Sequence, residues 1–260
     1  MRLLVLNPNT SEDMTEGMEK AIRSMRLPDG LELTMYTAPP NSDNSPSIND
    51  DADIRASTKA VWAHLSKNQI LKQYNGVLVA CYSSHTLVDT IAAEHRDILV
   101  TGIFEASITA TLPLLRRSSS GGSGGGGWGI VTTGQYWESH LTSAVKEFLG
   151  QSEDAASTNN WFRGVFTTGL NAGDFHGAGI PPATIHAKLA DATRRLLRTG
   201  GVDCVIMGCA GMAGLDEIIR QACVDEYGEE DARGVYIIDP VRAGVGVLEG
   251  MVRNRRMFST

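Results

Sequence analysis

This 260-residue chain is short of several things, and each shortage removes a class of function. Basic residues are outnumbered, 23 against 30 acidic, for a net charge of −7, so there is no electrostatic footprint for nucleic acid or an acidic membrane. The longest basic cluster, Arg253, Arg255 and Arg256, reads as a solvated helix end. No run approaches the ~18 apolar residues that span a bilayer, and "MRLLVLNPNTS" breaks at Asn7-Pro8 too early for a secretory leader. The expectation is a cytoplasmic protein with neither nucleic-acid nor membrane partners. Cysteine is scarce: four residues, at 81, 204, 209 and 223, form no CxxC pair and no zinc-type Cys/His spacing. No metal site is expected, and in a reducing compartment these are free thiols, either core filler or chemistry.

What is present is an ordinary folding composition, 42% hydrophobic and 20% charged. Short apolar runs at 2–7, 31–37, 76–81, 98–103, 128–133, 162–168, 202–207 and 234–239 predict eight strands, alternating with amphipathic helical stretches. That alternation predicts an α/β protein with mainly parallel sheets. A closed barrel fits the count, but "SSSGGSGGGG" (118–127) interrupts it halfway and favours two open sheets of about four strands. The same stretch spells Gly122-x-Gly124-x-x-Gly127, a dinucleotide fingerprint in letters only. Its glycines lead into a strand rather than opening a helix, so no nucleotide site is expected.

In open α/β sheets ligands bind beyond the carboxyl ends of strands. Two of the four cysteines fall there: Cys81 in "VLVACYSSH" and Cys209 in "VIMGCAGM". Cys204 lies mid-strand and Cys223 mid-helix, where a thiol acts as a small hydrophobe. A thiol at a helix start faces unpaired N–H groups and the positive end of the helix dipole, both of which favour thiolate. Backbone amides of Ser83, Ser84, Ala210 and Gly211 are placed to hold a developing oxyanion. Two such thiols suit proton removal from one face of a carbon and return to the other. His85 reads either as a group tuning Cys81 and orienting substrate or as a solvated helix-start residue. Glu105 reads either as an acceptor for a substrate imide N–H or, by default, as first-turn dipole complementation.

"LNPNTS", "SPSI" (45–48), "VACYSSH", "GIFEAS", "GIVTT" and "MGCAGM" resemble, in order and over most of the chain, the hydantoin racemase branch of the aspartate/glutamate racemase superfamily. The resemblance implies two similar parallel-sheet domains with pseudo-twofold symmetry and an interdomain active-site cleft. It assigns 1–102 plus 214–260 to a discontinuous first domain with Cys81, and 103–213 to a second with Cys209. It implies Cys81 and Cys209 as a cofactor-independent acid–base pair. Asn9, Ser47 and Ile48 would line the substrate pocket, with Thr132 and Thr133 from the second domain, beside Ser83, Ser84, His85, Ala210 and Gly211. Asn9 also reads as an Asx-turn residue, and the two roles are compatible. The implied substrate is a small hydantoin-like molecule (a 5-substituted hydantoin or allantoin), and relatives suggest a homo-oligomer. Decarboxylation or cis–trans isomerisation on the same scaffold, or non-catalytic ligand binding, remain alternatives.

Overall fold

Each apolar run is separated from the next by a helix-length amphipathic stretch, and a crossover of that length is what parallel pairing needs. The computed structural model describes residues 1–40, 44–116, 126–152, 161–175 and 179–259. Strands β1 (Arg2–Asn7), β2 (Glu32–Thr37), β3 (Gly76–Val79) and β4 (Leu99–Gly102) form one parallel sheet in the order β2-β1-β3-β4. Strands β5 (Gly127–Thr132), β6 (Phe162–Thr167), β7 (Val202–Gly208) and β8 (Tyr236–Ile238) form a second in the order β6-β5-β7-β8. All eight fall on the predicted runs, and both sheets are open rather than closed into a barrel. The two orders are one pattern repeated: the first strand lies between the second and third, with the fourth beyond the third.

The helices are α1 (Glu12–Arg23), α2 (Asp51–Lys67), α3 (Thr86–Glu94), α4 (Ile103–Thr111), α5 (Tyr136–Phe148), α6 (Pro182–Leu197), α7 (Asp216–Tyr227), α8 (Glu229–Ala232) and α9 (Pro240–Phe258). Their starts are written locally. Ser11 caps α1 by accepting the Met14 N–H, with Glu12 and Asp13 in the first turn, and Asp50 caps α2 through the Asp53 N–H. No described helix is long and apolar enough to cross a membrane.

The chain divides into two units, Met1–Ala106 with Pro240–Thr260, and Ser107–Asp239. The resemblance implies a return of the chain to the first unit at 214, whereas the compact first unit regains the chain at Pro240. The reason is β8, which pairs in register with β7 (Cys204 with Tyr236, Ile206 with Ile238) and so holds α7 and α8 in the second unit. In the first unit, α9 packs on β3 and β4. Gly244 makes that approach possible: a Cβ there would lie 2.7 Å from Leu78. The Gly/Ser stretch lies mostly outside the described residues, but its stem is closed. Gly126 N–H donates to Arg116 O at 3.0 Å, and Arg116 donates its backbone N–H (2.8 Å) and Nε (2.7 Å) to the buried Asp203 carboxylate.

Candidate active site

The two units carry their candidate residues at the carboxyl ends of their own sheets. In the first, β1 ends on Asn7, whose side chain is fully buried and engaged. Its Nδ2 donates to Ser11 O and Thr15 Oγ1 (both 3.0 Å), and its Oδ1 accepts the Asn9 N–H at 3.2 Å. Asn9 in turn accepts the Ser11 N–H at 2.9 Å, the Asx-turn role, while its Nδ2 approaches Met14 Sδ at 3.3 Å. The segment carrying Ser47 and the buried Ile48 is tied to this turn, because Thr10 N–H donates to Ser45 O at 3.1 Å. Ser47 Oγ donates to Asn49 Oδ1 at 2.9 Å.

Cys81 follows β3 and is half-buried. Ser83 Oγ donates to its Sγ at 3.6 Å, and Ser83 N–H donates to Cys81 O at 3.0 Å. That amide is therefore spent on shaping the turn. His85 is 2% exposed, so it is not a solvated residue. Its Nδ1 accepts the Leu87 N–H at 3.2 Å, capping α3, and its Nε2 lies 3.1 Å from Ser57 Oγ. The Ser57 hydroxyl proton goes to Ile54 O at 3.1 Å, so Nε2 carries the imidazole hydrogen and donates it. Sequence reasoning had no handle on Ser57, which stands 28 positions away.

In the second unit β7 delivers Cys209, which is 7% exposed. Its Sγ accepts the Gly211 N–H at 3.3 Å, and its carbonyl accepts the Met212 N–H at 3.1 Å. The following helix is one 3-10 turn, Ala210–Met212, too short to carry much dipole. Burial therefore wins and pushes the Cys209 thiol up to about 11, against the two amides pulling it down. The sequence expectation of an activated thiolate at this position is reversed in the free protein. Cys204 and Cys223 are buried thiols pushed up to about 12 and about 11 by the same desolvation.

Thr132 Oγ1 donates to Gly208 O at 2.5 Å, so this buried hydroxyl braces the residue before Cys209. Gly208 permits the approach: a Cβ there would stand 2.6 Å from Ile130 and 2.7 Å from Thr132. The Thr133 carbonyl accepts from Gly169 N–H (3.0 Å) and Thr168 Oγ1 (3.3 Å). Thr168, buried at the end of β6, was passed over in the sequence although "FTTG" (166–169) repeats "VTTG" (131–134). Among the described residues no group of three or more His, Cys, Asp or Glu is placed to hold a metal ion.

Two buried groups near the first unit's strand ends titrate in opposite senses. Burial lowers His85 from 6.5 to about 4 and raises the largely buried Glu105 from 4.5 to about 7. The depressed histidine gives stability that is present above about 6.5 and is lost as pH falls toward 4, about 2 kcal/mol of it by a pH of about 5. The raised carboxyl gives stability that is present below 4.5 and lost as pH rises through 7, about 2 kcal/mol between about pH 5 and 7.5. The two offset one another in the wild type. Urea unfolding at both pH values is expected to show His85→Gln gaining about 2 kcal/mol on acidification and Glu105→Gln losing about 2 kcal/mol. Parallel pH slopes in the two variants would refute this assignment.

With that geometry in place, comparison with known proteins assigns the lineage. The Asp/Glu/Hydantoin racemase family model matches residues 3–248. The chain belongs to that family. Family membership makes it an enzyme of the isomerase class. A protein of Schizosaccharomyces pombe is 30% identical over 97% of this chain and 92% of its own length. A hydantoin racemase of a Pseudomonas species is 26% identical over 97% of this chain and 86% of its own. The allantoin racemase structure from Klebsiella pneumoniae shares the fold, with a TM-score of 0.73 and 21% identity over 98% of this chain and 88% of that one.

Proposed function

We propose that this racemase inverts a stereocentre flanked by a carbonyl in a hydantoin-like ring, a 5-substituted hydantoin or allantoin, using Cys81 and Cys209 as a two-thiol couple. The observation that carries the reading is positional. Cys81 follows the third strand of one sheet and Cys209 the third strand of the other, in two sheets of the same order. Similarity to hydantoin and allantoin racemases supports this choice of substrate class.

In the proposed cycle one cysteine is thiolate and the other thiol. The thiolate takes the proton from the ring carbon, and the electron pair left behind delocalises into the adjacent carbonyl as an enolate. The opposite thiol then gives its proton to the other face, so the carbon ends inverted and the two sulfurs have exchanged roles. No electrons are gained or lost, and the reverse reaction or proton exchange with solvent resets the pair. In the direction where Cys209 donates, burial keeps it protonated at neutral pH, the form from which a general acid starts. His85, neutral and held by Ser57, acts as a positioning residue for the turn after Cys81 rather than as a proton carrier.

The test is a chiral-column screen of single enantiomers of 5-substituted hydantoins, allantoin and free amino acids in deuterium oxide. The expected result is loss of optical purity in the ring substrates, with deuterium incorporated at the inverted carbon. Inversion without deuterium uptake, or activity confined to free amino acids, would overturn the reading.

A further inference from the structure

Buried polar groups are almost always paired, so one that is not calls for a physical explanation. Asn44 is the one side chain among the described residues with both an orphan donor and an orphan acceptor: Nδ2 and Oδ1 are buried and neither has a hydrogen-bond partner. Its neighbours are satisfied. Asn7 and Asn9 are engaged in the β1 turn, Ser47 donates to Asn49, and the Asn49 N–H donates to Asp53 at 2.8 Å. Asn44 is not remote from these groups in the chain. It precedes Ser45, whose carbonyl accepts from Thr10 beside Asn9, and it stands three residues before Ser47-Ile48.

A carboxamide offers an N–H donor and a C=O acceptor side by side. Its complement is a cis amide edge, with ring N–H and ring C=O adjacent, which a hydantoin or other cyclic ureide presents and an open-chain amino acid does not. The pairing has the two-point form that asparagine makes with an adenine edge. Leaving both atoms unpaired in the free protein costs stability, and a ligand that pairs both recovers that cost on binding. We propose that Asn44 is the residue that selects the ring: its Oδ1 accepts a ring N–H and its Nδ2 donates to the neighbouring ring carbonyl. The proposal rests on the hydantoin-type activity given above. It assigns Asn44 to substrate recognition and not to proton transfer.

The experiment compares wild type with Asn44→Leu, which keeps the shape and removes both polar atoms. The substrates are a 5-substituted hydantoin and its ring N-methylated counterparts, methylated at each nitrogen in turn. Wild type is expected to reject the counterpart whose methyl group blocks the recognised N–H. Asn44→Leu is expected to lose about thirty-fold in kcat/KM on the parent ring, mostly through KM, as two hydrogen bonds predict. The variant also ceases to distinguish the methylated ring, and its Tm is no lower than wild type's because the orphan atoms are gone. A variant that keeps wild-type kcat/KM and discrimination overturns the proposal, as does one that melts lower while still discriminating. If wild type neither binds hydantoins by calorimetry nor racemises them, the functional reading itself fails and this inference with it. Wild-type activity therefore separates the two failures.

Discussion

Cys81→Ala and Cys209→Ala are each expected to abolish racemisation, with a loss of about a thousand-fold or more, the upper range for removing a positioned acid or base. Lost activity alone does not separate chemistry from packing, because buried Cys209 and half-buried Cys81 also support the turns they sit in. The distinguishing result is stereochemical. Each variant retains one thiol, and that thiol can still take a proton from one enantiomer and return deuterium from solvent to the same face. Slow wash-in without inversion is therefore expected for one enantiomer in Cys81→Ala and for the other in Cys209→Ala. Equal exchange of both enantiomers in either variant would sink the two-thiol scheme. Alkylation gives a companion measurement. At a pH of about 8, a thiol with a pKa of about 11 is ionised in about one molecule in a thousand. Iodoacetamide should accordingly reach half-buried Cys81 first, with Cys209 as slow as Cys204 and Cys223.

The largest expected loss of stability is at the stem of the Gly/Ser stretch. Arg116→Ala strips the Asp203 carboxylate, whose side chain is 1% exposed, of its guanidinium and leaves it with the Arg116 backbone N–H. A buried charge deprived of its partner costs about 3 kcal/mol. Asp203→Ala is expected to cost less, about 2 kcal/mol, because the guanidinium is 74% exposed and turns back to water. Adding Asp203→Asn to Arg116→Ala should recover part of the loss, since a neutral amide replaces the stranded charge. Urea unfolding of the three variants tests this. A double variant no more stable than Arg116→Ala alone would show that the pair acts through packing instead. The same contact explains Gly126, where a Cβ would fall 1.4 Å from Asp203 Oδ2.

The strands were legible because their signal is local: "LLVL" and "VIM" are apolar on both faces, which parallel sheets covered by helices require. The thiols were legible for the same reason, since a strand end is a position that a short window of sequence reveals. The return of the chain to the first unit was not. Which sheet "YII" joins depends on its pairing with β7, and nothing within the strand specifies its neighbour. The ionisation of Cys209 is not legible locally, because a helix start shows its amides but not its burial, and at 7% exposure burial decides. His85 was ambiguous for want of Ser57, and Asn44 carries no mark in the sequence. An unsatisfied amide is a property of its surroundings, which only the folded chain supplies.

The position of α9 has a consequence for how the molecule is made. Its glycine-assisted seat on β3 and β4 belongs to the first unit, yet residues 240–258 leave the ribosome after all of 107–239. During translation the second unit has its full complement of strands while the first still shows a bare apolar flank over Leu78. Nascent chains stalled short of Pro240 should therefore present that flank to chaperones, and the N-terminal half should acquire protease resistance last.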